Sequence, residues 1–144
     1  MSEPFVGDRV LALLGQAFDS PPITALVAEL GAKPRKVTDA DFELKKLGIA
    51  FTFDNEVDGR PALSQVRFEL RRKWTGHSKF AGVLPYGISP DLSIKEAETV
   101  LAGKAMSVEP LNASAWVTYR FPTHDISLGF GKKLLETVFV VAKE

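Results

Sequence analysis

The chain has 144 residues, 45% hydrophobic and 25% charged, with 18 basic residues balanced by 18 acidic ones. This length suits one compact domain spanning 1–144, and the apolar fraction excludes a disordered chain. Zero net charge argues against broad binding to nucleic acid or an anionic membrane, and the lack of cysteine excludes disulfides, thiolate metal sites and a cysteine nucleophile.

The opening segment, MSEPFVGDRVLALLGQAF, has no basic n-region, and its apolar run Val10 to Leu14 is too short for a signal core. No stretch approaches the roughly 18 apolar residues of a membrane-spanning helix. Together with Met1, these features lead us to expect a cytoplasmic protein.

Val6, Val10, Leu13 and Leu14 fall at helical spacing, and Gly15 supplies a left-handed stop. Ser20 then caps a second helix with Pro21 and Pro22 in its first turn; Ile23, Leu26, Val27 and Leu30 form its apolar stripe before Gly31. Pro34 blocks any continuation. The first third is therefore expected to be a helical hairpin.

Near residue 41 the period changes to two. Phe42 and Leu44, then Ile49, Phe51 and Phe53, then Val66, Phe68 and Leu70 alternate with polar or small residues, which predicts half-buried antiparallel strands. Leu47-Gly48 reads as a tight turn, and Asn55 to Pro61, with Asp58-Gly59, as a longer hairpin loop. Residues 72–92 look irregular. Ser93 and Glu96 form a capping box for a third helix, with Ile94, Ala97, Val100 and Leu101 on its apolar face and Gly103 at its end. Three more strands are expected at Ala115 to Phe121, Asp125 to Phe130 and Leu134 to Val141, with turns at Pro122-Thr123-His124 and Gly131-Lys132-Lys133. The last strand is apolar on both faces, which suggests a central strand or an edge buried by a partner.

The two halves repeat one order of elements. Ser20 to Gly31 matches Ser93 to Gly103, Ile49 to Phe53 matches Ile126 to Phe130, and Leu63 to Val66 matches Leu135 to Val138. The fold class expected is α+β, with two tandem units (5–72 and 80–144). Each unit has a helix or helical hairpin and three antiparallel strands, with the helices on one face of the sheet.

That tandem order resembles the units of β-lactamase-inhibitor protein and of the small lipoprotein of the outer-membrane barrel-assembly machine. The lead-in Val83-Leu84-Pro85-Tyr86-Gly87-Ile88-Ser89, running into a capped helix, is similar to one in many small bacterial proteins, several of which are immunity proteins against secreted toxins. The chain lacks the cysteines of the secreted inhibitor and of the lipoprotein, so the resemblance implies a cytoplasmic immunity protein with a cognate toxin as partner.

The residues themselves offer little catalytic chemistry. His77 and His124 are the two histidines, and both read as solvated turn residues; neither has a motif-linked nucleophile or the HxH or HExxH spacing of a metal site, even with Asp91 or Asp125 nearby. Gly129-Phe130-Gly131-Lys132-Lys133 lacks the phosphate-loop pattern, and Arg71-Arg72-Lys73-Trp74 reads as a solvated strand end. No cofactor and no metal are expected. The sequence leaves homo-oligomerisation open.

Alternation carries more information. If Val66, Phe68, Val117, Tyr119, Phe121, Ile126, Leu128 and Phe130 face the helices, the other face carries Lys45, Thr52, Arg67, Glu69, Arg71, Trp116, Thr118, Arg120, Asp125 and Ser127. Arginines with a tryptophan have the composition of a protein-binding hot spot, or of an ordinary wet face with Trp116 covered by a loop such as residues 72–86. Trp74 and Tyr86 either flank that face or serve as a lid on the core. The candidate partner-binding set is thus Arg67, Glu69, Arg71, Trp74, Tyr86, Trp116, Thr118 and Arg120. In this reading Arg67, Arg71 and Arg120 pair with acidic groups of the partner. Two rivals are a small-molecule site between sheet and helices lined by Phe51, Phe53 and Phe130, and a weak hydrolase using either histidine.

Overall fold

The computed structural model describes residues 9–29, 41–44, 48–70, 84–88, 93–102, 104–109, 116–131 and 134–142. In chain order they form α1 (Arg9–Leu13), α2 (Pro21–Glu29), β1 (Asp41–Leu44), β2 (Ile49–Thr52), β3 (Asn55–Val57), β4 (Arg60–Ala62) and β5 (Gln65–Glu69). A 3-10 turn at Pro85–Gly87 and α3 (Ile94–Ala97) follow, with a π-helical turn at Glu98–Ala102. The chain then forms β6 (Ser107–Glu109), β7 (Trp116–Arg120), β8 (His124–Gly131) and β9 (Leu134–Ala142).

The chain is α+β. Seven strands form one antiparallel sheet in the order β1-β2-β5-β9-β8-β7-β6, while β3 and β4 make a separate ribbon. Strand β9 lies at the centre, which explains its apolar residues on both faces. On the inner face Ile49, Phe51, Val66, Phe68, Val117, Tyr119, Ile126, Leu128, Val138 and Val140 are buried. They share one apolar cluster with Val10, Leu13, Ile23, Leu26 and Leu101 from the helical segments. The eight residues expected to point inward are all buried.

Local chemistry sets most boundaries. Gly15 has φ 84°, the left-handed stop that its position after α1 requires. Ser20 stands immediately before α2 and its carbonyl accepts the Thr24 N–H at 3.0 Å, but its hydroxyl is buried with no hydrogen-bond partner. The other cap is complete: Ser93 N–H donates to Glu96 Oε1 at 3.0 Å and Glu96 N–H to Ser93 Oγ at 3.2 Å.

Three sequence expectations change. The stretch Asn55 to Pro61, expected as a longer hairpin loop, is itself a paired ribbon with a two-residue turn, in which Val57 pairs with Arg60 around Asp58 (φ 50°) and Gly59 (φ 77°). Two positive φ values make a type I′ turn, whose twist matches the flanking strands. Strand β6 escaped the periodicity reading because three residues are too few to display alternation. His124 is not a solvated turn residue. It opens β8, and the turn before it is only Pro122-Thr123, closed by the Phe121 N–H donating to the His124 carbonyl at 2.9 Å. Its alternation with Ile126 and Leu128 then places it on the inner face, 5% exposed.

Backbone bonds also tie the helical segment to the ribbon. Gly15 N–H donates to the Leu63 carbonyl, Leu63 N–H to the Gln16 carbonyl and Phe18 N–H to the Pro61 carbonyl, at 2.8 to 2.9 Å. Arg60 pairs with Asp19 at 2.9 Å on the same seam.

Candidate functional site

The outer face of the sheet is built from alternate residues of β2, β5, β9, β8 and β7. Its register sets Ala50 beside Arg67, Arg67 beside Phe139, Phe139 beside Ser127, and Ser127 beside Thr118. One step along, Gln65, Val141, Asp125 and Arg120 form a second row; in the other direction Glu69, Thr137, Gly129 and Trp116 form a third.

Trp116 gives this face its shape. It pairs directly with Gly129, and a methyl carbon placed on Gly129 would lie 2.7 to 2.9 Å from three atoms of the indole ring. The ring therefore lies flat in the space that Gly129 leaves empty. From there it reaches toward Phe139, with centroids 5.3 Å apart and planes inclined at 41°. Beside the two rings an open depression of about 330 Å³ is lined by Gln65, Trp116, Thr118, Ser127, Phe139 and Val141.

The polar groups on this face engage one another. Arg120 pairs with Asp125 across strands at 2.8 Å, Arg67 lies 3.3 Å from Glu69, and the Thr118 and Ser127 hydroxyls are 2.9 Å apart. Arg67 and Arg120 are thus each balanced by an acidic side chain of their own face, Glu69 and Asp125. Glu69 is also only 4% exposed, so it acts here as a buried counter-charge to Arg67.

Of the candidate set, Arg67, Glu69, Trp116, Thr118 and Arg120 share this outer face. Arg71 and Trp74 lie outside the described residues, as does His77. Tyr86 is on the other side of the sheet. In a left-handed conformation (φ 59°) it stacks on Phe121 at 4.8 Å, its hydroxyl meets His124 Nε2 at 2.9 Å, and Lys104 Nζ stands 5.7 Å from its ring centre. Of the two roles open to it, it takes a place beside the core.

The sequence reading missed Gly129, Phe139, Val141 and Gln65. Phe139 and Val141 were hidden because β9 is apolar on both faces. The available signal was register: once Val138 and Val140 point inward, Phe139 and Val141 must point outward. Gly129 stood within a rejected phosphate-loop resemblance, and nothing in one sequence says that a tryptophan lies opposite.

His124 stacks on the Phe121 ring at 4.9 Å, with the Tyr86 ring 5.9 Å away, and its Nδ1 meets the Thr123 hydroxyl at 3.0 Å. Both ring nitrogens are thus engaged by hydroxyls. Among the described residues no group of three histidines or carboxylates could hold a metal ion. Phe51 and Phe130 belong to the packed inner core, and Phe53 packs against it, whereas the depression described above lies on the opposite face. No helix among the described residues is long and apolar enough to cross a membrane. Comparison with protein families, characterised proteins and solved structures found no match to this chain.

Proposed function

We propose that this protein is a non-enzymatic protein-binding module that engages its partner with the outer sheet face, and that it neutralises a bacterial toxin by covering that toxin's active site. The observation that carries the binding reading is the half-exposed Trp116–Phe139 pair beside a depression of about 330 Å³ on the outer face of the sheet. Aromatic side chains held on a scaffold expose much apolar area at little entropic cost, the usual make-up of a binding hot spot. His124 is 5% exposed and stacked on Phe121, away from any surface where a general base would meet a substrate, which supports a role without it. The toxin as partner, with a cytoplasmic site of action, rests on the Val83–Ser89 lead-in and the tandem order of elements.

We further propose that the chain consists of two tandem units with their helices on one side, and sheet register supports it. Taking Arg67 and Phe139 as the centre of the β5–β9 ladder makes Val66 equivalent to Val138 and Phe68 to Val140. Phe68 pairs with Ile49, and Val140 pairs with Ile126. Ile49 and Ile126 are the residues that sequence comparison aligned independently. A dyad in the sheet is what duplication of a three-stranded unit would leave.

The test is capture of interacting protein from the native host, comparing the wild-type chain with Thr118→Arg on the outer face and Lys95→Glu on α3. The expected result is a bacterial toxin retained by the wild type and by Lys95→Glu, inhibited on binding, and lost with Thr118→Arg. Equal capture by all three would exclude this face as the binding surface.

A further inference from the structure

Resting on the protein-binding reading, we infer that the trough between Trp116, Phe139 and Val141 receives an uncharged apolar side chain, aromatic or aliphatic, that projects from the partner protein. The polar groups around the trough carry this inference. A charged partner needs an uncompensated charge, yet Arg67 has Glu69 at 3.3 Å and Arg120 has Asp125 at 2.8 Å. A sugar needs several hydroxyls and amides arranged around its ring, yet of the three polar residues that line the depression Thr118 and Ser127 bond each other at 2.9 Å, which leaves the Gln65 amide as the main polar group to meet one. What this surface offers most of is apolar area: the indole face, the Phe139 ring and the Val141 methyls around the depression. Its volume matches about ten waters of liquid, and an apolar group gains by replacing water against a mostly apolar lining.

Gly129 is the positioning residue of this trough. Any side chain at 129 would meet the indole at under 3 Å, lift the ring and fill the depression with it. Glycine is one of the weakest strand formers, so its place inside β8 sacrifices local strand preference for a flat tryptophan.

The closing experiment titrates the full chain with single probes, followed by backbone amide resonances and by Trp116 fluorescence in a Trp74→Phe background. The probes are p-cresol and indole (neutral aromatics), benzoate and benzylamine (their charged counterparts) and maltose. Expected are saturable shifts at Trp116, Ser127, Phe139 and Val141 with p-cresol and indole, with dissociation constants on the order of millimolar. The charged probes and maltose should bind about tenfold more weakly, and Gly129→Ala should weaken indole by a similar factor. Val141→Lys, on the outer face, makes the same prediction should Gly129→Ala disturb folding. Benzoate or benzylamine binding as well as p-cresol overturns the inference, as does maltose binding alone or no shift with any probe. A concentration-dependent dimer abolished by Val141→Lys would overturn it too, by making a second copy the occupant. These failures stay distinct from failure of the binding reading, because toxin capture sensitive to Thr118→Arg stands or falls independently of the fragments.

Discussion

Two aromatic clusters sit on opposite faces of the sheet, and they have opposite characters. On the inner face Tyr86, Phe121 and His124 stack with interplanar angles of 12° to 24°, and hydroxyls satisfy both polar atoms of the imidazole. On the outer face Trp116 and Phe139 meet at 41°, and the depression beside them is open. The inner cluster is closed chemically as well as sterically, so its rings add to stability and present little outward. The outer cluster has its polar neighbours paired off and its apolar surface left over. The contrast shows where association can gain: from apolar area that folding has positioned but not buried.

The comparison can be broken most forcefully at Phe121. Phe121→Ala removes the ring that both Tyr86 and His124 stack on, and is expected to lower stability by about 3–5 kcal/mol in denaturant unfolding. A loss similar to that of an exposed phenylalanine would mean that the inner cluster is not closed. Tyr86→Phe keeps the stacking but strips the hydroxyl from His124 Nε2, so a loss of about 1–3 kcal/mol is expected by the same measurement.

On the outer face the effects fall on spectroscopy and binding before stability. Gly129→Ala is expected to cost about 1 kcal/mol, since the half-exposed indole can swing away, yet to change the near-ultraviolet dichroism of Trp116. An unchanged spectrum would show that the ring is not seated on Gly129. Smaller still is the Arg120–Asp125 pair, 42% and 19% exposed. A double-mutant cycle with Arg120→Met and Asp125→Asn should return a coupling below about 1 kcal/mol that weakens in salt.

The smallest effect belongs to a pair remote from both clusters. The hydrogen bond from Arg9 holds the Glu29 carboxyl below its ordinary range. A lowered carboxyl pKa stabilises the fold above the unfolded value and loses that contribution as pH falls through the folded one. The melting temperatures of wild type and Glu29→Gln should therefore coincide in acid and separate only slightly above about pH 5. A large separation would mean that the pair ties the helices more strongly than so exposed a contact can.

Much of this could be read in the residues themselves. Alternation at Val66–Phe68, Val117–Tyr119 and Ile126–Leu128 placed three strands and assigned their faces, because burial of one face imposes a period of two. The Ser93–Glu96 spacing located a helix start, since both side chains satisfy backbone donors within one turn. Five members of the candidate site came to one face by the same alternation. His124 was misjudged because a two-residue turn and a three-residue turn look alike in sequence, and one residue of difference moves a side chain across the sheet.

What the sequence alone determined is therefore local: which strands exist, which residues point together, and where the helices are capped. Tertiary structure decided what lies beside what. Only the register of β7 on β8 puts Trp116 over Gly129, and only the central place of β9 turns Phe139 and Val141 into part of an outward surface. The pairing of Arg67 with Glu69 could be guessed from adjacency on one strand face, but that of Arg120 with Asp125 depends on cross-strand register. The physical reason is that periodicity reports burial along one strand, whereas register depends on all the strands packing at once.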